Sequence, residues 1–247
     1  MEDLNDLALR NFKQYLQIPS VHPDVDYTKC VEFLKGQGQD IGLQLEVVYV
    51  KPNKPVVILT WLGERNDLPS VLLNSHMDVV PVFEEQWKYK PFNAEVHKGK
   101  IYARGSQDMK CVGVQYLEAI RRLKLEGIVC SRTVHVCFVP DEEVGGEEGM
   151  KLFIQTEDFK NLNVGVALDE SLASENEEMI LFYGEKCCWQ FDLYCSGSTG
   201  HGSLLLDNTP GEKAAFLLQK FYDFREQQRT LLENHDNTLE YHHQQLL

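Results

Sequence analysis

Residues 133–143 read Thr133-Val134-His135-Val136-Cys137-Phe138-Val139-Pro140-Asp141-Glu142-Glu143. The seven residues before Pro140 form a continuous run that is apolar enough for a strand in the middle of a sheet. An acidic triplet follows this strand directly. Three other short segments also carry potential metal ligands at the ends of apolar runs, namely Leu72–Asp78, Arg104–Asp108 and Ala167–Glu170.

The first 180 residues alternate between strand-like and helix-like patterns. Apolar runs predict further strands at Leu45–Val50, Pro55–Trp61, Val71–Asn74, Ile101–Ala103 and Val164–Leu168. Helical spacing predicts helices over residues 4–16, after Asp26, from Met109 to Gly127 and near Met150–Ile154. This alternation indicates an α/β fold with a mostly parallel sheet covered by helices on both faces. Ligands bind at the carboxyl ends of such strands, so we expect a site there.

The pattern changes near Ile180. Trp189–Cys195 alternates apolar and polar residues, as a half-exposed strand does, and a loop over residues 196–203 follows. Pro210 then begins a helix. We predict a domain boundary near residue 186, which divides the chain into residues 1–186 and 187–247.

Composition excludes several classes of protein. Hydrophobic residues at 43% and aromatic residues at 10% exclude a disordered chain, and a net charge of −14 argues against nucleic acid or an anionic membrane as a partner. Seven cysteines without a CxxC pair indicate reduced thiols in a cytosolic protein. The acidic start of the chain does not resemble a signal peptide, and no apolar run approaches the ~18 residues of a membrane span. We therefore expect a cytoplasmic location and no membrane partner.

Two of the four segments carry an aspartate that could orient a metal ligand or bind metal itself. On an extended strand end, residues 76 and 78 project to the same side, so Asp78 can orient the His76 ring by accepting a hydrogen bond from it. A polar turn after a core strand is the alternative. Asp108 precedes a helix, where its two oxygens could bridge two cations, or where it could simply cap the helix.

The other two segments carry the remaining carboxylates. One of the adjacent glutamates Glu142 and Glu143 can bind a metal while its neighbour acts as a general base, although a solvated acidic turn would have the same sequence. Asp169 ends an apolar strand, where an unpaired carboxylate is costly, whereas Glu170 could simply face solvent. The four segments together favour a two-metal site and hydrolysis, because two metals can hold a hydroxide and polarise a carbonyl. His201, between two glycines, could stabilise an oxyanion or could be an ordinary surface histidine.

These motifs resemble the aminoacylases within the co-catalytic zinc family of aminoacylases, carboxypeptidases and deacylases. The resemblance runs from about Phe12 to Arg225. It is carried by Leu73-Asn74-Ser75-His76-Met77-Asp78-Val79-Val80-Pro81-Val82, by Tyr102-Ala103-Arg104-Gly105-Ser106-Gln107-Asp108-Met109-Lys110 and by Phe138-Val139-Pro140-Asp141-Glu142-Glu143-Val144-Gly145-Gly146.

The resemblance implies a zinc-binding catalytic domain, an α+β lid that also makes a homodimer, and a role for each site residue. His76 and Asp169 would bind one zinc, Glu143 the other, and Asp108 would bridge the two ions. Glu142 would be the general base, Asp78 would orient His76, and His201 would reach the substrate oxyanion across the dimer interface. The implied reaction hydrolyses a small N-acyl-L-amino acid to a carboxylate and a free L-amino acid.

Relative to this family, residues 187–247 would form only the start of the lid. The last histidine ligand of the second zinc would be missing, and the dimer is doubtful. We therefore expect this chain alone to bind one zinc better than two and to have little or no activity. Two alternatives stay open, namely a related dipeptidase or carboxypeptidase and a truncated, catalytically impaired isoform that acts only by association.

Overall fold

The computed structural model describes residues 3–170, 176–177 and 190–234. It separates into two compact units, Met1–Ile180 and Leu181–Leu247, and each is considered by itself. The predicted boundary near residue 186 lies outside the described residues and remains a prediction.

The first unit contains five helices and seven strands within its described residues. The helices are α1 (Leu4–Leu16), α2 (Thr28–Ile41), α3 (Lys110–Leu125), α4 (Met150–Phe153) and α5 (Glu157–Asn161). The strands are β1 (Gln44–Lys51), β2 (Lys54–Trp61), β3 (Ser70–His76), β4 (Glu95–His97), β5 (Lys100–Tyr102), β6 (Val134–Val139) and β7 (Val164–Leu168). Short 3-10 turns lie at Glu84–Gln86 and Glu142–Val144.

The main sheet of the described residues has five strands in the order β1-β2-β6-β3-β7, and β4 and β5 form a separate hairpin. Strand β3 lies between β6 and β7 and is parallel to both. Strands β1 and β2 are antiparallel to their neighbours. Pro52 and Asn53 make the tight β1–β2 connection, with Asn53 at φ 60°, and a connection this short can join only antiparallel strands. The predicted α/β class is confirmed, and the parallel part of the sheet is the β6-β3-β7 half.

Helices cover both faces of this sheet. Alternate residues of β2 and β6, such as Leu59 and Phe138, pack against α1, α2 and α3 in one apolar core. Their neighbours in sequence, such as Ile58 and Cys137, point to the other face and pack with Phe153 of α4 and Leu162 beyond α5. The period of two along each strand thus divides the apolar residues between the two layers.

Helix α3 approaches the sheet closely because of one glycine. A Cβ atom on Gly113 would lie 2.7 Å from Phe138 Cε1 and 2.8 Å from Ser75 Oγ. The absent side chain lets the first turns of α3 lie against the ends of β3 and β6. The loop before α3, which carries Asp108, is thereby held near those strand ends.

The second unit contains helix α6 (Pro210–Asn234) in its described part. The Thr209 backbone N–H donates to Glu212, and the Glu212 N–H donates to the Thr209 hydroxyl, a capping box with Pro210 in the first helical turn. Gln190–Cys195 carries no regular secondary structure, so the strand predicted at Trp189–Cys195 is absent from its described residues. A strand needs a neighbour for its backbone hydrogen bonds, and the described part of this unit has no other strand.

Two further observations concern both units, as far as the structure describes them. No helix in the described segments is long and apolar enough to cross a membrane. The five cysteines that the structure describes all have free thiols.

Candidate metal centre

The carboxyl ends of β3, β6 and β7 meet at one edge of the sheet, because the three strands are parallel and adjacent. His76 is the last residue of β3 and pairs with Val139 at the end of β6. The 3-10 turn Glu142–Val144 follows β6, and Asp169 and Glu170 follow β7. The fold therefore places three of the four predicted segments at this edge.

His76 has a buried ring whose two nitrogens have different partners. Its Nδ1 lies 2.9 Å from the Asp78 backbone oxygen, which accepts a hydrogen bond, so Nδ1 is the donor. Its Nε2 faces three carboxylates, at 2.9 Å from Asp108 Oδ1, 3.5 Å from Glu170 Oε1 and 3.8 Å from Glu142 Oε2. Burial opposes the charged ring, but hydrogen bonds and charges from Asp78 and Glu170 outweigh it and raise the pKa of His76 to about 11. The ring thus lies where a cation is strongly favoured.

One cluster of potential ligands stands out in the described residues. One ligand atom from each of His76, Asp108 and Glu170 lies within 4.8 Å of the other two. The imidazole is 1% exposed, while the Asp108 and Glu170 side chains are 64% and 29% exposed. An imidazole and two carboxylates that converge on a partly open space form a donor set that suits zinc and several other divalent ions.

Glu142 and Glu143 lie beside this cluster on a turn that is tightly anchored. Asp141 adopts a left-handed conformation, with φ 61°, at the start of the turn. Its carboxylate accepts a hydrogen bond from the Tyr27 hydroxyl at 2.7 Å and forms an ion pair with Lys54. Burial and neighbouring carboxylates raise the pKa of both Glu142 and Glu143. A nearby cation would relieve that repulsion.

Asp78 is fully buried and links the parts of the site. Its Oδ1 accepts the Glu142 backbone N–H at 3.1 Å, and its Oδ2 accepts the Glu143 N–H at 3.0 Å. Its Oδ2 also lies 2.8 Å from His22 Nε2. Burial alone would raise the pKa of Asp78, but the partners His76, His22 and the Glu143 N–H hold it below its usual value. Asp78 therefore remains an ionised acceptor between the histidine and the glutamate turn.

Asp169 occupies a different position from the one its predicted role implies. Leu73 pairs with Leu168 across the β3–β7 ladder, so Asp169 comes to lie beside Asn74. Asn74 Nδ2 donates to Asp169 Oδ2 at 2.9 Å, and the Glu170 N–H donates to Asp169 Oδ1 at 2.9 Å. The structure brings Glu170, for which the sequence leaves a solvent-facing position open, into the cluster with His76.

His201 lies in the second unit, where its side chain is exposed. Its Nδ1 lies 2.7 Å from the Ser203 hydroxyl and accepts the Ser203 backbone N–H at 3.3 Å. Its predicted role in oxyanion stabilisation remains a prediction.

Sequence reasoning missed the residues that support the site. Each of these residues contacts a site residue that is distant in sequence. The contacts are His22 with Asp78, Tyr27 and Lys54 with Asp141, and Asn74 with Asp169. No local motif marks such contacts, because each depends on the tertiary fold. Of these four residues, only Asn74 lies inside a motif, two residues before His76.

Comparison with known proteins agrees with this geometry. The profile of peptidase family M20/M25/M40 matches residues 72–202, which is more than half of the 247 residues. The chain belongs to peptidase family M20/M25/M40. Membership of this family fits the candidate metal site at the strand ends.

Two curated aminoacylases are similar to most of this chain. Aminoacylase-1 from Sus scrofa is 46% identical over 224 residues, which cover 90% of this chain and 55% of the relative. Aminoacylase-1 from Homo sapiens is 45% identical over 230 residues, which cover 93% of this chain and 56% of the relative. The resemblance to the aminoacylases is confirmed, and the chain spans a little over half the length of these relatives.

Solved structures agree on the fold. An M20 family metallo-carboxypeptidase from Sulfolobus solfataricus superposes with a TM-score of 0.58 and 22% identity, over 70% of this chain and 38% of that chain. At this level of identity the likeness concerns the architecture of the M20 domain alone.

Proposed function

We propose that this chain carries the metal centre of a hydrolase that splits N-acyl-L-amino acids into a carboxylate and a free L-amino acid. One observation carries the proposal: His76 Nε2 lies within 3.8 Å of carboxylate oxygens from Asp108, Glu142 and Glu170. The similarity to aminoacylase-1 from two mammals supports the choice of substrate class.

The donor set of His76, Asp108 and Glu170 fits one zinc ion, and Asp108 and Glu143 would supply part of the donor set of a second. His76 and Glu170 would hold the first ion, Glu143 the second, and Asp108 would be shared by both. Glu170 replaces Asp169, the ligand predicted from the sequence, because Glu170 Oε1 lies 3.5 Å from His76 Nε2 within the cluster, whereas Asp169 accepts hydrogen bonds from Asn74 and the Glu170 N–H. The fit rests on the donor set, since three carboxylates around one imidazole nitrogen need a shared positive charge.

The chemistry assigns a separate task to Glu142. Bound zinc supplies Lewis acidity, which polarises the acyl carbonyl and acidifies water. The Glu142 carboxylate accepts a proton from the attacking water and delivers it to the nitrogen of the breaking C–N bond. Asp78 accepts hydrogen bonds from the His76 ring and from the Glu142 backbone N–H and so fixes the position of both. His201 would donate a hydrogen bond to the developing oxyanion.

The experiment that tests this proposal measures zinc content and turnover separately. We expect the purified chain to bind one zinc better than two and to have little or no turnover, and any hydrolysis that it retains should favour N-acetyl-L-amino acids over the matching unblocked dipeptides. Glu142→Gln should abolish turnover and retain zinc, whereas Glu147→Gln, which removes an exposed carboxylate that pairs with Lys151, should change neither. Absence of zinc binding would overturn the metal centre. Two bound zinc ions with ready turnover of an N-acetyl-L-amino acid would contradict the expected low activity of this chain, and a preference for unblocked dipeptides would favour the related dipeptidase.

The proposal extends to partners and location. We propose a cytoplasmic protein that acts on small molecules, and the net charge of −14 supports the exclusion of nucleic acid. The homodimer implied by the resemblance stays a prediction, which size-exclusion chromatography of the purified chain would test.

A further inference from the structure

The segment before α2 is attached to the residues that follow β3. Val21 and Val79 form an isolated parallel bridge. The Val79 N–H donates to the Ser20 oxygen at 2.9 Å, and the His22 N–H donates to the Val79 oxygen at 3.1 Å. The Ser20 hydroxyl donates to the Met77 oxygen at 2.5 Å. These bonds fix the backbone of His22 beside Asp78.

The side chain of His22 continues this contact into the site. Its Nε2 lies 2.8 Å from Asp78 Oδ2, and the two side chains are 10% and 0% exposed. An ionised carboxylate only accepts hydrogen bonds, so Nε2 carries the proton and donates it. Charge-assisted hydrogen bonds between buried groups are about twice as strong as neutral ones. His22 therefore holds the same carboxylate oxygen that accepts the Glu143 N–H.

Asp78 contacts two other parts of the site. Its two carboxylate oxygens accept the Glu142 and Glu143 backbone N–H groups, and its Oδ1 lies 3.5 Å from His76 Nδ1, whose hydrogen bond goes to the Asp78 backbone oxygen. Rotation of the Asp78 carboxylate would release the glutamate turn and remove its contact with the His76 ring. Of the donors to this carboxylate, His22 comes from a segment that contributes no predicted ligand.

We propose that His22 is a positioning residue of the metal centre, which acts through Asp78 to fix both the His76 ring and the Glu142–Glu143 turn. This inference rests on the proposed metal-dependent function. Loss of such an outer partner lowers metal affinity by ~10–100-fold in metal sites generally. A residue that merely stabilises the fold would lower the free energy of unfolding of the metal-free chain without a specific change in affinity.

The test compares zinc affinity among variants of the 247-residue chain at one fixed pH, by competition with a chelating dye. His22→Ala should weaken zinc binding by ~10-fold or more. His22→Gln, which keeps an N–H donor of similar reach, should recover most of that affinity. His97→Ala is the matched control, because His97 is an exposed histidine on β4 whose ring contacts Tyr89; its zinc affinity should equal that of the wild type.

A double-mutant cycle tests whether His22 acts through Asp78. Once Asp78→Asn has removed the charged acceptor, adding His22→Ala should change zinc affinity by no more than ~2-fold, the scatter expected for independent measurements. The free energy of unfolding of each metal-free variant, measured in urea, separates a change in affinity from a change in stability. If His22→Ala does not fold, His22→Asn replaces it in the cycle. The shorter asparagine side chain places its N–H donor out of reach of the Asp78 carboxylate.

Several results would overturn the inference. They are an unchanged zinc affinity in His22→Ala, a His22→Gln variant as weak as His22→Ala, and additive losses in the double mutant. A wild-type chain without measurable zinc affinity would overturn the proposed function as well. Normal wild-type affinity that is indifferent to His22 would overturn this inference alone.

Discussion

A single buried imidazole explains why this strand edge requires a cation. His76 donates through Nδ1 to a backbone oxygen and turns Nε2 toward carboxylates that can only accept. Without a metal, the ring itself supplies the positive charge, and its pKa rises to about 11. A divalent ion between Nε2 and the carboxylates would replace that proton and neutralise more than one negative charge.

Two adjacent acidic residues differ in their expected contribution to metal binding. Glu170 faces His76, whereas both oxygens of Asp169 accept hydrogen bonds from Asn74 and from the Glu170 N–H. We expect Glu170→Ala to weaken zinc affinity by ~100-fold or more, since a direct ligand exceeds the ~10–100-fold effect of an outer partner. Asp169→Asn should have a much smaller effect. Isothermal titration with zinc measures both, and a larger loss in Asp169→Asn would restore the ligand predicted from the sequence.

The residues of the site could be predicted from the sequence only in part. His76 and the glutamate pair are predictable because each follows an apolar strand and parallel strands bring such ends together, whereas Asp108 lies in the loop before α3. Whether Asp169 or Glu170 is the metal ligand depends on which of the two accepts the hydrogen bond from Asn74. That contact follows from the β3–β7 register. A register is a tertiary property that a single sequence does not reveal.

At the scale of one turn, the glutamates depend on Asp141. Its left-handed conformation is uncommon for a residue with a side chain, and it is held by Lys54 and by a reciprocal contact with Tyr27. The Tyr27 hydroxyl donates to Asp141 Oδ1 at 2.7 Å and accepts the Asp141 N–H at 3.0 Å. The turn thus relies on a buried phenol from just before α2.

Removal of this hydroxyl should be costly. Tyr27→Phe leaves a buried N–H and a buried carboxylate oxygen of Asp141 with fewer partners, which destabilises a protein by about 1–3 kcal/mol. Tyr49→Phe is the matched control, because the Tyr49 side chain is exposed, and it should be neutral. Urea denaturation with unchanged m-values measures the free energy of unfolding for both. Equal stability of the two variants would contradict the anchoring role of Tyr27.

At the scale of a helix, Gly113 sets the distance between α3 and the sheet. Alanine is preferred over glycine in helices by up to about 1 kcal/mol, but a Cβ here would overlap Phe138 and Ser75. Overpacking costs about 1–3 kcal/mol, so Gly113→Ala should destabilise the chain and, by moving the Asp108 loop, weaken zinc binding.

The control for this change is Gly36→Ala in α2. A Cβ on Gly36 would meet no atom within 4 Å, so helix propensity alone should act and stabilise the chain. Thermal and urea unfolding of the two variants should therefore shift in opposite directions. A stabilised Gly113→Ala chain would show that α3 can move away from the sheet without cost.

The predicted elements match the structure best where local signals are strong. Strands β2, β3, β6 and β7 were predicted from their apolar runs, and α1 and α3 from helical spacing. The strand predicted at Trp189–Cys195 had the right alternation and does not form in its described residues. The alternation of apolar and polar residues indicates which side of a strand would be buried. A strand also needs a neighbouring strand for its backbone hydrogen bonds, and the alternation does not reveal whether one is present.

For the molecule as a whole, stability should depend on pH through a buried histidine that is not part of the metal cluster. His135 lies in β6 directly opposite Thr60 of β2, and its Nδ1 is 2.8 Å from the Thr60 hydroxyl. Burial lowers the pKa of His135, and a hydrogen bond with the Leu162 backbone only partly opposes this. The folded chain therefore takes up this proton less readily than the unfolded chain.

The sign of the effect follows from linkage. Above pH ~6.5, the ordinary histidine pKa, the residue is neutral in both states and adds no pH dependence. As the pH falls through that value, the unfolded chain binds a proton that the folded chain resists, so the free energy of unfolding decreases. The decrease stops only when the pH passes below the lowered pKa of the folded state.

His135→Asn should remove this contribution. We expect the wild-type chain to lose more stability than His135→Asn between pH 7.5 and 5.5, measured by urea denaturation in the presence of a chelator. His97→Asn, which alters an exposed histidine, should lose as much as the wild type. Because all three chains share His76 and the carboxylates around it, their titration cancels in the comparison. Equal losses of the free energy of unfolding in all three chains would contradict the prediction. They would mean that His135 is protonated in the folded sheet as readily as in the unfolded chain, despite its burial in β6.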